Sequence, residues 1–530
     1  MTTLSCRRTR RLAPLAGAVS ALCLALSLPA AAQSLTVGDT VMTVQGLVGV
    51  GRLPAATRDS FGETFGSVSG LLADTAAWQR QGDAYVGAFW TMPDRGYNIA
   101  GTIDYQPRIN RLTFEFRPAP LASSGLAQNQ IQLTLQGSTM LFETLAGGGT
   151  RALTGLDPVP GGVASGGARP ATSSLPELPQ AFNGKLALDA EGIARLSDGS
   201  FLVSDEYGPS VYRFSAEGEF IGALPVAPSV RPIRNGVTDY SSNNPPAGHP
   251  APIPANPSFG RQNNQGFEGL SVSPDGRTLY VMLQSAARQD GGTGGSSATR
   301  DHTRLFTYDI ASPDAITLSG EYVVKLPKFQ QPNGTRVAAQ SEILALGNGL
   351  LMVLPRDSNG FGVGLQTSYY RGVDIVDING ATNLLGQPGS DTVAPGGVLN
   401  PAITPAALYR WLDINDNGQL NRFGLNNGNA PGLDNLSEKW EGLALLPALD
   451  PAAPNDWFLF VANDNDFATS NGFQVGLPYS DDLDIDTMFL AYRVTLAPVP
   501  EPATAALLAG GLALLLNRAR RRAESPLRSV

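Results

Sequence analysis

An all-β chain arranged as a radial array of four-stranded sheets, a β-propeller, is the fold class that three observations predict. One phrase recurs along the 530 residues: a carboxylate-Gly-apolar start, a Gly-centred turn, and an apolar strand ending in a polar or acidic residue. Apolar and polar residues alternate with period two on both sides of each turn, which marks a β-hairpin. After each clear hairpin comes another strand-like run, and sheets of this kind repeated at this interval describe propeller blades.

The copies follow in order. The weakest, GSVSGLLADTAAWQRQGDAYVGAFWTMPDRG, occupies 66–96. LDAEGIARLSDGSFLVSDE at 188–206 is followed by SVYRFSA at 210–216, and QGFEGLSVSPDGRTLYVMLQS at 265–285 by RLFTYDI at 304–310. QSEILALGNGLLMVLPRD at 340–357 is followed by GVDIVDI at 372–378, and KWEGLALLPALDPAAPNDWFLFVANDND at 439–466 by FLAYRVTL at 489–496. Asp-Gly and Asn-Gly supply the positive φ that tight hairpin turns require. The end of the chain resembles only three strands of a blade, and TVMTVQGLVGV at 40–50 supplies the missing outer strand and closes the ring. Five blades are recognisable; six in total are expected, because 379–436 is long enough to hold another. The stretches 146–180, 225–263, 286–300 and 386–405 lack apolar periodicity and read as loops over one domain spanning 35–497.

Hairpin geometry then places the chemistry. The first strand begins where the second ends, so Glu191, Glu268, Glu342 and Glu441 share one face with Asp94, Asp205, Asp357 and Asp464. With the first strand innermost, the glutamates ring the mouth of the central channel. Close carboxylates repel unless a cation or a basic ligand group neutralises them.

The ends of the chain predict export. Arg7, Arg8, Arg10 and Arg11, the apolar run 12–28 and Ala30-Ala31-Ala32 form a secretory leader over 1–32. Both cysteines, Cys6 and Cys23, lie in it, so the mature domain has no disulfide and no thiolate metal site. At the other end, Pro500-Glu501-Pro502, the short apolar transmembrane segment 503–516 and the basic tail Arg518 to Arg522 resemble a PEP-CTERM sorting tag over 498–530. That resemblance implies processing by a membrane exosortase in a Gram-negative source, with transient anchoring in the inner membrane. The destination would be periplasm, cell surface or extracellular matrix. Removing 1–32 takes four arginines, and removing 517–530 takes five arginines and Glu524, so the net charge of −9 becomes −17. A domain this acidic suits cations and excludes nucleic acid.

What is absent narrows the chemistry. His249 and His302 are the only histidines, which excludes a multi-histidine zinc site; no G-x-S-x-G elbow and no P-loop occur. Carboxylate, amide and arginine chemistry remains, and hard oxygen ligands favour calcium or magnesium. Arg95, Arg213, Arg304, Arg356 and Arg371 are the candidate phosphate clamps. Asp413, Asn415, Asn417 and Gly418 match the opening of a calcium loop, but Gly424 stands where its closing Glu belongs.

The motifs AEGIARLSDGSFLVSDEYGPSVYRF, NQGFEGLSVSPDGRTLYVMLQS, SEILAL, and EGLALL followed by VANDND resemble the phytase-like family called "esterase-like activity of phytase", over about 64–495. The resemblance implies a β-propeller acting on phosphate esters or simple esters. Carried over by matching motif are Asp94, Arg95, Glu191, Asp205, Glu206, Glu268, Glu342, Glu441 and Asp464; the sequence departs from the pattern at Ser69 and Gln284, where acids are replaced. The expectation is a calcium-assisted phosphoesterase or esterase. Glu191, Glu268, Glu342 and Glu441 would surround the cation, Asp205, Asp464 or Glu206 serve as general base, and Arg95 or Arg356 orient a small ester or phosphoester substrate. Two alternatives stand beside it: a non-catalytic propeller that binds extracellular polysaccharide or another matrix component around a structural ion, and a lactonase-like hydrolase on a calcium propeller.

Overall fold

The computed structural model describes residues 33–98, 100–291, 297–428 and 432–499. The expected leader over 1–32 and the expected membrane segment 503–516 lie outside these residues, and among the described residues no helix is long and apolar enough to cross a membrane.

Five blades form the ring, numbered here by the position of their innermost strands along the chain. Blade 1 has strands Gly70–Ala73, Ala84–Met92, Arg108–Phe116 and Ile131–Met140; blade 2 has Ala190–Arg195, Phe201–Asp205, Ser210–Phe214 and Phe220–Ala223. Blade 3 has Phe267–Val272, Thr278–Leu283, His302–Asp309 and Thr317–Lys325; blade 4 has Ala339–Gly347, Leu350–Arg356, Gly372–Asp377 and Ala407–Asp413. Blade 5 has Trp440–Pro447, Asp456–Asn463 and Thr487–Pro498, and the early strand Thr40–Leu53 pairs antiparallel with Thr487–Pro498 as its fourth. The first strand of every blade is innermost, as the hairpin reading requires, and the closing strand is the one the sequence nominated.

Among the described residues there is no sixth blade. Within 379–428 and 432–436 the segment gives blade 4 its outer strand, Ala407–Asp413, and otherwise forms turns and short helical segments. Its apolar residues pack on existing blades: Leu384, Val393 and Ala394 around Val323, and Leu420, Phe423, Leu425 and Leu436 into the core of blades 4 and 5. A long stretch with scattered apolar residues is not a set of strands unless they alternate.

Each interface between neighbouring blades has its own apolar core, and strand alternation supplies both sides. Phe201 and Val203 face blade 1 while Leu202 faces blade 3; Phe458 and Phe460 face blade 1 while Leu459 and Val461 face blade 4. The interface of blades 5 and 1 is aromatic, with Tyr85 edge-on to Phe458 at 5.0 Å and Phe89 edge-on to Phe460 at 5.3 Å.

The Glu-Gly pair of the repeat has a structural cause. In blades 2, 3 and 5 the pairing of the innermost strand shifts around Glu191-Gly192, Glu268-Gly269 and Glu441-Gly442; in blade 4 it shifts around Ser341-Glu342. A β-bulge of this kind leaves one residue unpaired and re-aims its side chain. The glycine beside it lets the next blade come close: a Cβ on Gly192 would lie 2.7 Å from Glu268 O, and one on Gly70 2.6 Å from Glu191 O.

Candidate functional site

The innermost strands begin around a chamber of about 310 Å³. Its walls carry the carboxylates of Asp94, Asp189, Glu191, Glu206, Glu268, Glu438, Glu441 and Asp466, against the three cations Arg95, Arg356 and Lys439. Acids outnumber bases more than two to one, and most of the acids are buried.

The cations are unevenly shared. Arg95 Nη1 donates to Asp189 Oδ2 at 2.6 Å. Arg356 Nη2 donates to Glu441 Oε1 at 2.5 Å, and its Nε donates to Ser341 Oγ at 2.8 Å. Lys439 Nζ reaches Asp466 Oδ1 at 2.7 Å and Asp464 Oδ2 at 3.3 Å. The group Asp94, Asp464 and Asp466 thus contains an ammonium already. A second group, Asp189, Glu191 and Glu206, presents carboxylate oxygens all within 4.8 Å of one another, and Arg95 is the cation bonded into it.

Electrostatics follow from burial and crowding. Burial pushes Glu191 well above the usual carboxylate range, and the charges of Glu268, Asp189, Glu206 and Glu441 push it further. Glu268 is raised by burial, then by Glu206 and Glu441. Burial and Glu206 lift Asp189 to about 7 although Arg95 pulls it down. Asp94 is raised by burial and by Asp464. Three acceptors in this region are buried without a protein partner: Asp189 Oδ1, Glu268 Oε2 and Glu441 Oε2.

These observations test whether calcium fits. Oxygens bound to one calcium ion lie about 2.3–2.6 Å from it, hence at most about 5 Å from each other. The 4.8 Å limit on Asp189, Glu191 and Glu206 satisfies that bound, the donors are all hard oxygens, and the unpartnered Asp189 Oδ1 belongs to the set. The residues present fit a hard divalent cation.

The residues named from the sequence divide in two. Arg95, Glu191, Glu206, Glu268, Arg356, Glu441 and Asp94 line the chamber. Asp205 does not: its carboxylate accepts from the Asp189, Tyr207 and Gly208 amides and from Tyr212 Oη, four bonds that fix the end of the blade 2 hairpin. The bulge explains this, because it pairs Asp205 with Ala190 rather than Glu191 and leaves Glu206 pointing at the chamber. Glu342, expected at the mouth, turns away, and its Oε1 accepts from the Leu270 and Ile343 amides at 3.0 and 2.8 Å. Asp464 accepts from Ser69 Oγ at 3.2 Å and lines an adjoining chamber of about 260 Å³. Asp357 is saturated by the Tyr369 amide, Ser368 Oγ and Asn359 Nδ2.

The other candidates lie elsewhere. Arg213 pairs with Asp198 at the hairpin turn, Arg304 with buried Asp290 and Glu321, and Arg371 donates to Asn359 O. His249 stacks on Phe182 in a loop, and His302, buried beside Asp301, is pushed toward its neutral form by burial. In the 413–420 segment Asp413, Asp416 and Asn417 accept backbone amides of Asn415, Gly418 and Asn427, so this stretch is a helix start and turn.

Sequence reasoning passed over Asp189 and Lys439. Each stands two residues before a ring glutamate, and i and i+2 of a strand share a face; that spacing was the available signal. It also missed Glu438 and Asp466.

Among solved structures, the chain resembles virginiamycin B lyase from Staphylococcus aureus at 10% identity, covering 88% of this chain and 98% of that one with a TM-score of 0.25. It also resembles an auxiliary nutrient binding protein from Bacteroides thetaiotaomicron at 8% identity, covering 86% and 78% with a TM-score of 0.28. Likeness at this level carries no functional argument. A relative from Arthroderma benhamiae, named an uncharacterized secreted protein, is 36% identical over 464 residues, which are 82% of this chain and 89% of the relative. Residues 63–467 match the family described as Phytase-like, Esterase-like activity of phytase. The chain therefore belongs to the phytase-like family.

Proposed function

We propose that this is an exported phytase-like propeller that holds calcium in its acidic chamber and hydrolyses a phosphate or carboxylic ester there. The observation that carries the reading is the convergence of Asp189, Glu191 and Glu206 within 4.8 Å, in a chamber that Arg356 and Lys439 also line. Asp189, Glu191 and Glu206 would hold the cation, which supplies charge neutralisation and polarisation of the ester oxygen.

The chain's own residues do the rest. Arg356 is held by Glu441 and Ser341 on the chamber wall, and with Lys439 it attracts and orients an anionic ester group. Glu268 suits proton transfer: Gln284 Nε2 donates to its Oε1, its Oε2 has no protein partner, and burial raises its pKa well above the usual carboxylate range. It takes a proton from the attacking water, and the same proton can then pass to the departing alkoxide. Asp205 and Asp464 have no such role here, since both are engaged elsewhere.

Export is supported by the leader-like 1–32 and by the secreted relative, and the tag-like 498–530 supports handling by an exosortase. The test is phosphate release and carboxyl-ester cleavage across a small substrate panel, with calcium and with chelator. Calcium-dependent turnover that falls about a hundredfold or more in Glu191→Gln is expected. Turnover unaffected by chelator and by Glu191→Gln would sink the proposal.

A further inference from the structure

The acidic chamber has a neighbour. Asn98 lines it, and the preceding residue, Tyr97, lines a second chamber of about 500 Å³ on the same side of the ring. Tyr97 stacks on Tyr479 with ring centres 4.0 Å apart and planes 17° from parallel. The Tyr479 ring lies so close over Gly472 that a Cβ there would collide with it. Phe182 also lines this chamber; it stacks on His249 at 4.1 Å and is still 51% exposed, while Leu477 beside it is 69% exposed.

Asp104, Asn183 and Gln474 also line this chamber, and of the three Gln474 is the buried one. Gln474 lines the chamber, and its Oε1 accepts the Tyr97 amide at 2.9 Å. That bond settles which way the amide points, because the oxygen must face the N–H. The Gln474 Nε2 is then the end left over, and it is buried with no protein partner. A buried donor without a protein acceptor is satisfied by a water or by a ligand oxygen.

We propose that this second chamber is a subsite for a pyranose ring. A pyranose has a flat C–H face, weakly positive, that packs on the negative face of an aromatic ring. Its ring edge carries hydroxyl oxygens that can accept from Gln474 Nε2. A purely aliphatic ligand would leave that donor unpaired. Tyr97 and Asn98 are consecutive and line one chamber each, so a sugar seated here would carry its substituent toward the acidic chamber. The substrate class is therefore a phosphorylated or acylated sugar; this last step rests on the ester reading above, whereas sugar binding does not.

The test is saturation-transfer NMR on the purified protein with methyl glycosides of glucose, galactose, mannose and N-acetylglucosamine. At least one should bind, and Phe182→Ala and Gln474→Leu should each weaken it roughly tenfold. Phe182 is exposed, so its variant folds even if Gln474→Leu does not. No transfer from any glycoside, or binding unchanged in Phe182→Ala, overturns the subsite. Sugar binding without calcium-dependent ester turnover upholds the subsite and removes the ester reading; turnover without sugar binding does the reverse.

Discussion

Lys439 decides where a cation is still needed. Burial pulls its pKa down, but Asp464, Asp466, Glu441 and Asp94 outweigh burial and hold it well above the usual lysine value. It bonds two carboxylates of its own group, Asp464 and Asp466, whereas Arg95 bonds only Asp189 in the other, which leaves Glu191 and Glu206 as the pair short of charge. Replacing it uncovers the first group. Lys439→Met is expected to raise calcium stoichiometry from one to two per chain in isothermal titration; a stoichiometry unchanged at one would contradict this division of labour. Much of the chamber was legible from the repeat itself, since Glu191, Glu268 and Glu441 begin innermost strands. Asp205 and Glu342 were not, because a carboxylate's direction depends on which backbone amides reach it first. Asp205 meets three amides and a phenol, and Glu342 meets two amides of its own and the neighbouring blade.

Among the strands, the bulged innermost one is the working part. It pushes a glutamate into the channel and, with glycine beside it, lets the adjacent strand pass at van der Waals distance. A methyl group on Gly192 would lie 2.7 Å from both Glu268 O and the Leu270 Cβ. Gly192→Ala should destabilise the protein by about 1–3 kcal/mol through overpacking, read from the midpoint of urea unfolding. An unshifted midpoint would mean that the strands are free to separate. The hairpins, their order and the closing strand were readable because alternation and Asp-Gly or Asn-Gly turns are local properties. The blade count was not. Length alone suggested strands in 379–436, yet its apolar residues are spaced to cover the outside of blades 3, 4 and 5.

The whole ring has two unlike mouths. Where the innermost strands begin, carboxylates converge; where they end, Leu72, Val272, Leu344 and Leu445 line an apolar hollow of about 650 Å³. The buried carboxylates of the channel therefore gather at one end, and the cost of holding them depends on pH. Asp189 and Asp205 titrate near 7 in the folded protein, against about 3.9 for an unfolded aspartate. A raised acid keeps its proton in the folded state after the unfolded chain has released it. Stability from these groups is therefore full below about pH 4 and is lost as pH rises through 7. Calcium bound to Asp189, Glu191 and Glu206 would replace the lost protons and reverse that trend at the chamber, though not at Asp205.

The most direct measurement is the melting temperature by scanning calorimetry at about pH 5 and about pH 8, with chelator and with excess calcium. With chelator, the protein should melt several degrees lower at the higher pH. Calcium should raise the melting temperature clearly at the higher pH and little at the lower one, where protons compete for the same oxygens. Calcium leaving the melting temperature unchanged at the higher pH would contradict the presence of a cation site in the chamber.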